Sequence, residues 1–236
     1  MKPLVPLIAL TVALTGQAQA WGPEGHSIVA EIAQLRLSPP AAAMVHKLLG
    51  GRSLASIASW ADDERDVRPQ TFGWHFVNIP LDASAYNHDR DCAKDDCIVV
   101  ALGKLRKDLS CATGAAQTEA LKFAVHFVGD IHQPLHTVAE EAGGNGINVD
   151  VYMRGLATCP KCQAEHAPTN FHAAWDVNLI QRTVWDWGVY VDRLEQGWLK
   201  TSPEAKAEDS AANRGTIDDT TFVRWAEDTH KAAQTV

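Results

Sequence analysis

The sequence has few basic residues, no N-x-S/T sequon and no internal repeat or clear linker. Lys and Arg total 21 against 29 Asp and Glu, so the formal net charge is −8, which by itself argues against a basic nucleic-acid groove. The apolar run from about Leu4 to Leu14 is shorter than the roughly 20 residues that a membrane helix needs. The chain has 236 residues, enough for one domain with a sizeable core, and we expect that organisation.

Residues 1–20 have the pattern of a secretory signal peptide. A lysine precedes the apolar run, and small residues follow it and end at Ala20. Cleavage there would make Trp21 the amino terminus, five residues before His26. A terminal amine and carbonyl close to an imidazole can chelate a metal, which an internal tryptophan cannot do. We therefore expect a mature chain of residues 21–236 that is secreted or periplasmic and does not associate with the membrane.

Five cysteines are present, and in an exported chain they indicate disulfides. Cys92 and Cys97 would close a tight loop, and Cys159 and Cys162 offer a second pair. The remaining cysteine is left over. A zinc knuckle formed by Cys159, Cys162 and His166 is an alternative, but it lacks an evident fourth ligand.

Apolar residues recur at helical spacing along the chain and few stretches alternate like strands, so the sequence predicts an all-α fold with long loops and at most a short hairpin. Ser38 is a predicted N-cap, with Pro39 in the first turn and Gly50 at the helix end. Residues 67–96 are predicted to be irregular, and residues 147–152 are a candidate strand. The predicted helices cover residues 26–37, 38–50, a third from Ser53, then 98–109, 118–132, 170–182, 190–200, 203–213 and 218–232.

Two His–Asp pairs are candidate metal ligands. His126 and Asp130 are four residues apart in a predicted helix, as are His172 and Asp176, so each pair projects from one helix face. Taken alone, such a pair is more often a surface contact, and a lone histidine such as His75 is more often a hydrogen-bonded core residue. The metal interpretation gains support from two further candidates, His136 just past Pro134 and Asp62 in the predicted third helix.

Several segments resemble the zinc-dependent single-strand nucleases and 3′-nucleotidases of the S1/P1 type. They are WGPEGH, LASIASWADDER, WHFVN, HFVGDIHQPLH, GGNGINV and NFHAAWD, in the order and approximate spacing of that family. They extend from Trp21 to about Asp176, and the helical tail beyond is similar only in character. The resemblance implies a helical fold similar to that of zinc-dependent phospholipase C.

The resemblance also implies three zinc ions per chain. One would be held by Asp62, His75, His126 and Asp130, a second by His136, His172 and Asp176, and a third by the amine and carbonyl of Trp21, His26 and a shared Asp130. Imidazoles and carboxylates suit Zn²⁺, and three such ions would outweigh the carboxylate charge, so that a polyanion can dock. His132 is close in sequence, but Pro134 separates it from His136, so we interpret His132 as a supporting residue.

For catalysis, the resemblance gives Asp62 the role of orienting the attacking water as well as binding zinc. Arg65, three residues later and on the same helix face, would clamp the phosphate and stabilise transition-state charge. An ordinary surface salt bridge is the alternative for Arg65.

Substrate choice would depend on base stacking, because a flexible single strand can place a base on an aromatic ring. Phe76 occupies the stacking position of the family, with core packing as its alternative. Asn78 stands where the best-known fungal members have a base-binding Asp, which leaves base preference open. Asn145 is a further candidate substrate contact, although turn formation is a simpler explanation.

These inferences predict a monomeric endonuclease that cleaves single-stranded DNA and RNA to 5′-phosphate nucleotides and also acts on 3′-nucleotides. Zinc phospholipase C is the nearest rival, but its first tryptophan-to-histidine spacing is longer and its last ligand is Glu, whereas Asp176 stands here. A catalytically inactive zinc-binding protein is the other alternative, because family members continue through at least one more helix beyond the position of Val236.

Overall fold

The structure is a computed structural model that describes residues 21–153, 165–184, 186–208 and 216–236. Within these ranges it is predominantly helical, which confirms the all-α prediction. The helices are α1 (Pro23–Leu35), α2 (Pro39–Leu49), α3 (Trp60–Val67), α4 (His88–Asp91), α5 (Ile98–Cys111), α6 (Gly114–Asp130), α7 (Glu141–Gly144), α8 (Phe171–Ala173), α9 (Leu179–Thr183), α10 (Trp187–Gln196), α11 (Trp198–Thr201), α12 (Pro203–Glu208) and α13 (Asp219–Ala233). Short 3₁₀ turns lie at Ala55–Ile57, Pro69–His75, Ala93–Asp95 and Pro134–Thr137, and a π-helical turn, Ala174–Asn178, joins α8 to α9.

The ends of α2 follow the predicted chemistry. Ser38 Oγ accepts a hydrogen bond from the backbone N–H of Ala41, and Pro39 begins the helix. Gly50 ends it with a φ of 61°, a left-handed conformation that glycine adopts without steric cost.

The prediction of one continuous helix from Ser53 is wrong. A 3₁₀ turn, Ala55–Ile57, comes first, and α3 begins only at Trp60. The backbone N–H of Asp62 donates to Ser59 O, whereas an uninterrupted α-helix would direct it to Ala58 O. The break therefore leaves the Ala58 carbonyl available to a side chain from another helix.

One two-stranded antiparallel sheet is present among the described residues. Its strands are β1 (Asn148–Tyr152), which was predicted, and β2 (His166–Asn170), which was not. β2 runs directly into α8, so the hairpin places the start of that helix. The segment predicted as irregular also contains helix α4 and two 3₁₀ turns.

Two clusters of buried apolar side chains form the core. The larger lies among α5, α6 and α13 and includes Phe123, Phe127 and Phe222; the smaller joins α1 and α2 to the turn before α3. Alongside the larger cluster, residues 77–79 run parallel to residues 136–139, with Val77 N–H donating to His136 O. This pairing joins two segments that carry candidate metal ligands.

Cys92 and Cys97 form a disulfide, as predicted, and Cys111 is an exposed free thiol. Cys159 and Cys162 lie outside the described residues, as does the candidate leader, residues 1–20. None of the described helices is both long and apolar enough to span a bilayer.

Candidate metal centre

Helix α6 brings two candidate ligands to the middle of the molecule. His126 and Asp130 lie one turn apart near its carboxyl end, and both side chains are completely buried. The imidazole of His126 has its Nε2 atom 3.2 Å from Asp130 Oδ2. Phe123 and Phe127 lie on the same broad face of α6 and pack into the larger core cluster beside these ligands, which fixes the orientation of the helix.

Two neighbouring segments add ligands to the same point. Asp62 comes from the first turn of α3, and His75 ends the 3₁₀ turn that follows. His75 Nδ1 lies 3.1 Å from Asp130 Oδ2 and 3.8 Å from Asp62 Oδ1, and 3.6 Å separates His126 Nε2 from Asp62 Oδ1. The predicted set for the first zinc ion is therefore brought together.

The second predicted set converges as well. His136 comes from the turn Pro134–Thr137, His172 from α8 and Asp176 from the π-helical turn. The two imidazoles face each other with 3.1 Å between their Nε2 atoms, and His172 Nε2 is 3.2 Å from Asp176 Oδ2. All three side chains are buried.

His26 and Trp21 form the third group. His26 Nε2 lies 3.2 Å from Asp130 Oδ1, and its ring stacks on that of His126 with centroids 3.8 Å apart. Trp21 is anchored by its indole, whose Nε1–H donates to Gly129 O at 3.0 Å. The next residue, Gly22, donates its N–H to Asp176 O at 2.7 Å. The main chain at Trp21 is therefore tied to two segments that carry ligands.

Backbone carbonyls orient three of the histidines. A carbonyl oxygen only accepts, so each of these rings carries its proton on Nδ1 and, when neutral, presents the Nε2 lone pair to the cluster. The pairs are His126 with Ala58 O, His136 with His75 O and His172 with Gly143 O, each at 2.7 Å. This arrangement is typical of imidazoles that bind metals through Nε2.

The candidate ligand atoms fit metal ions because several are buried and face only other candidate ligands. His26 Nε2, Asp62 Oδ1, Asp130 Oδ1 and Asp176 Oδ2 make no hydrogen bond of good geometry within the described part of the chain, although His26 Nε2 and Asp130 Oδ1 lie 3.2 Å apart. Such atoms are rare in folded proteins and destabilising, since each loses its hydration. Three groups of these side chains have ligand atoms within 4.8 Å of one another: His26, Asp62 and His126; His75, His126 and Asp130; and His136, His172 and Asp176.

Burial lowers the pKa of most of the clustered imidazoles, to about 4 for His26 and about 3 for His136, and lowers the pKa of His172 as well. These rings are neutral at neutral pH, which is the form that binds metals. His126 is the exception: burial lowers its pKa, but the charges of Asp130 and Asp62 outweigh this and raise it.

The pKa values of the three carboxyl groups shift in different directions. Burial raises the pKa of Asp62, and that of Asp176 rises well above the usual range. Burial alone would also raise the pKa of Asp130, but the nearby His126 and hydrogen bonds from histidines hold it well below the usual range. Asp62 and Asp176 are thus the groups for which a bound cation would most change the charge state.

Of the predicted substrate residues, Arg65 and Phe76 adjoin ligands of the first group, whereas Asn145 lies in the loop beside His172. Arg65 is buried, with Nη1 3.7 Å from Asp62 Oδ1. Phe76 directly follows His75 and is half-buried, and Asn78 is exposed. Asn145 turns back on its own loop, where Nδ2 donates to Ala142 O at 2.8 Å.

Two supporting residues escaped the sequence interpretation. Gln133 is completely buried, donates Nε2–H to Asp176 Oδ1 and accepts from Leu135 N–H. Gly143 provides the carbonyl that orients His172. The only sequence signal for Gln133 was its position between the predicted ligands Asp130 and His136. His132 lies outside the cluster, exposed and against Trp225 with ring centroids 5.1 Å apart.

Comparisons with known proteins cover the whole of this centre. The family model described as "S1/P1 Nuclease" matches residues 21–236. Nuclease S1 of Aspergillus oryzae is 32% identical over 244 residues, which cover 97% of this chain and 80% of that protein. Nuclease P1 of Penicillium citrinum is 34% identical over 77% of this chain and 65% of its own length. Endonuclease 2 of Arabidopsis thaliana is 37% identical over 68% of this chain and 56% of its own length.

Proposed function

Because this chain belongs to the S1/P1 nuclease family and is therefore a hydrolase of nucleic acids, we propose that it is a three-zinc phosphodiesterase acting on single-stranded DNA and RNA. Its products would be nucleotides carrying 5′-phosphates, and 3′-nucleotides would also be substrates. The main support is the buried cluster in which imidazoles and carboxylates from distant segments face one another around unpaired donor atoms.

The proposed ligand sets are those that the family resemblance implies, and the buried cluster of imidazoles and carboxylates supports them. The first comprises Asp62, His75, His126 and Asp130; the second comprises His136, His172 and Asp176; the third comprises the amine and carbonyl of Trp21, His26 and the shared Asp130. When bound, zinc would polarise a phosphoryl oxygen, lower the pKa of an attacking water and stabilise charge on the leaving oxygen.

Two side chains would act on the substrate directly. Asp62 Oδ1 faces the cluster and would accept a hydrogen bond from the attacking water, which orients it toward phosphorus. Arg65 holds a permanent positive charge beside Asp62, and its guanidinium would bind phosphate oxygens and stabilise the charge that develops in the transition state.

Binding of a single strand would use the exposed surface next to His75. Phe76 would stack one base, and Asn78 would hydrogen-bond it as donor or acceptor. Asn145, which follows α7, is a further candidate contact. Duplex bases are already stacked in pairs, so a stacking site of this kind favours single strands.

Export completes the proposal. Removal of residues 1–20 would free the amine of Trp21, and the family match begins at that residue. The disulfide between Cys92 and Cys97 is suited to an oxidising compartment. We infer a secreted or periplasmic monomer whose nuclease domain is residues 21–236.

The decisive assay measures cleavage of single-stranded DNA by the mature chain, with and without EDTA and after zinc is restored. Activity that disappears with the chelator and returns with Zn²⁺ is expected. Duplex DNA should react more slowly, and phosphatidylcholine tests the phospholipase alternative. Full zinc loading without cleavage of single-stranded or duplex DNA would reject the proposal.

Arg65 has a matched control on the same helix. Arg65→Ala should retain about three zinc ions per chain and lose activity roughly 10²-fold or more, the usual loss for a transition-state electrostatic contact. Arg68 pairs with Glu64 and Glu119 rather than with the cluster, so Arg68→Ala should retain activity. Near-normal turnover by Arg65→Ala would exclude Arg65 from the chemistry.

A further inference from the structure

Phe72 is a large apolar residue that remains 49% exposed beside the metal centre. It lies in the turn Pro69–His75, three residues before the candidate ligand His75. Isolated exposed apolar residues are common on proteins and need no explanation alone. The neighbours of this ring distinguish it from such residues.

The ring of Phe72 contacts both parts of the proposed substrate site. Its centroid is 5.4 Å from that of Phe76, and the Arg65 guanidinium lies over it at 5.9 Å from the centroid. Phe72 is thus next to the group that would bind phosphate and the ring that would stack a base.

The angle between the two rings limits what they can bind together. Their planes are 77° apart, so a flat base stacked parallel to Phe76 would stand almost perpendicular to Phe72. One base therefore cannot stack on both rings. A flexible single strand can turn successive bases in different directions, which would allow each ring to receive its own base.

We propose that Phe72 is a second base-stacking residue, which binds the nucleotide adjacent to the one held by Phe76 in a single-stranded substrate. This role rests on the proposed function and extends it from one nucleotide to two. Phe72 would then favour strands over mononucleotides, because a 3′-nucleotide has no second base to occupy the ring.

The test compares a short single-stranded oligothymidylate with adenosine 3′-monophosphate. Phe72→Leu keeps apolar bulk but removes the flat ring. It should raise the KM for the oligonucleotide about tenfold relative to the KM for the mononucleotide, within the range known for loss of one stacked base. Phe72→Trp should restore the lower ratio. Val67→Ala, at the end of α3 and also exposed, is the control for loss of a surface apolar group.

Two outcomes would overturn the proposal. An unchanged KM ratio would show that Phe72 binds no second base. Lower kcat on both substrates at unchanged KM would make Phe72 a support for Arg65 instead. Zinc content and thermal unfolding of Phe72→Leu are both expected to match the parent. If they do not, Phe72→Gln, which suits a half-exposed position and also lacks the flat ring, replaces it and must raise the same KM ratio. If the parent chain cleaves neither substrate, the proposed function itself has failed.

Discussion

His126 donates its Nδ1–H to the carbonyl oxygen of Ala58 across 2.7 Å, although 68 positions separate the two residues. The acceptor is available because the chain breaks between the turn Ala55–Ile57 and helix α3. This contact turns Nε2 of His126 toward Asp130 and also fixes α6 against the segment that carries Asp62. An irregularity of local structure thereby positions two candidate ligands at once.

Removing metal should destabilise the fold. The cluster contains buried polar atoms that lack hydrogen bonds within the described residues, and bound zinc would compensate for their lost hydration. We expect the melting temperature to fall by roughly 10 °C or more in EDTA and to recover with Zn²⁺. Calorimetry together with metal analysis checks this. An unchanged melting temperature after verified metal removal would contradict it.

Asp176→Asn should change stability in opposite directions with and without metal. The raised pKa of Asp176 means that the metal-free fold favours the protonated carboxyl. The contribution of this protonated carboxyl to folding stability is complete below the unfolded pKa near 3.8, and it is lost as the pH rises through the higher folded pKa. The metal-free Asn variant should therefore become more stable than the parent as the pH increases, by about 1–3 kcal/mol.

With zinc the order should reverse, because a carboxylate binds the ion and an amide does so weakly. Urea unfolding of both proteins at pH 5 to 8, in EDTA and in Zn²⁺, gives four curves of unfolding free energy against pH. Comparing parent with variant cancels the opposite pH dependence of His26 and His136, whose pKa values are lowered. The same order in both conditions would show that Asp176 binds no metal.

Gly143→Ala and Gly50→Ala form a matched pair, since both glycines have positive φ, 66° and 61°. An added Cβ at Gly143 would lie 2.5 Å from Leu135 O and 3.2 Å from His172 Nδ1, whereas nothing lies within 4 Å at Gly50. Both variants should lose about 1 kcal/mol for the left-handed conformation.

Only Gly143→Ala should also displace the carbonyl that orients His172, and so lower the zinc content by about one ion with most of the activity. Metal analysis and single-stranded DNA cleavage measure these effects. If both variants keep full zinc, the contact between Gly143 and His172 is not required for the site.

An additional residue in front of Trp21 should impair the third zinc site. It would convert a basic amine into a weakly coordinating amide and add bulk beside His26. The chain cannot easily move aside, because the Trp21 indole and Gly22 N–H are both held by hydrogen bonds. A form with Met before Trp21 should lose one zinc ion and most activity relative to the correctly cleaved chain. Equal zinc content and equal release of 5′-nucleotides would show that the terminus is only structural.

Much of the helical framework could be read from local sequence. The Ser38 cap and the left-handed Gly50 were predictable because capping depends on a few adjacent residues. The His–Asp spacing in α6 was predictable because residues four apart share a helix face. The spacing alone did not identify these residues as ligands, and the resemblance to the nuclease family was needed for that.

Only the tertiary structure decided which distant residues these elements contact. The contact of His126 with the Ala58 carbonyl links residues that are 68 positions apart, and strand β2 depends on pairing with β1, and neither leaves a local periodic signal. The carbonyl groups that orient the histidines belong to the main chain, so the side chains of those residues do not indicate that they accept these hydrogen bonds. The angle between Phe72 and Phe76 likewise arises from the packing of one turn. The sequence by itself therefore determined most of the helices and the residue types available at each position, because these depend on neighbours along the chain, whereas long-range packing set the orientation, burial and protonation of the ligand side chains.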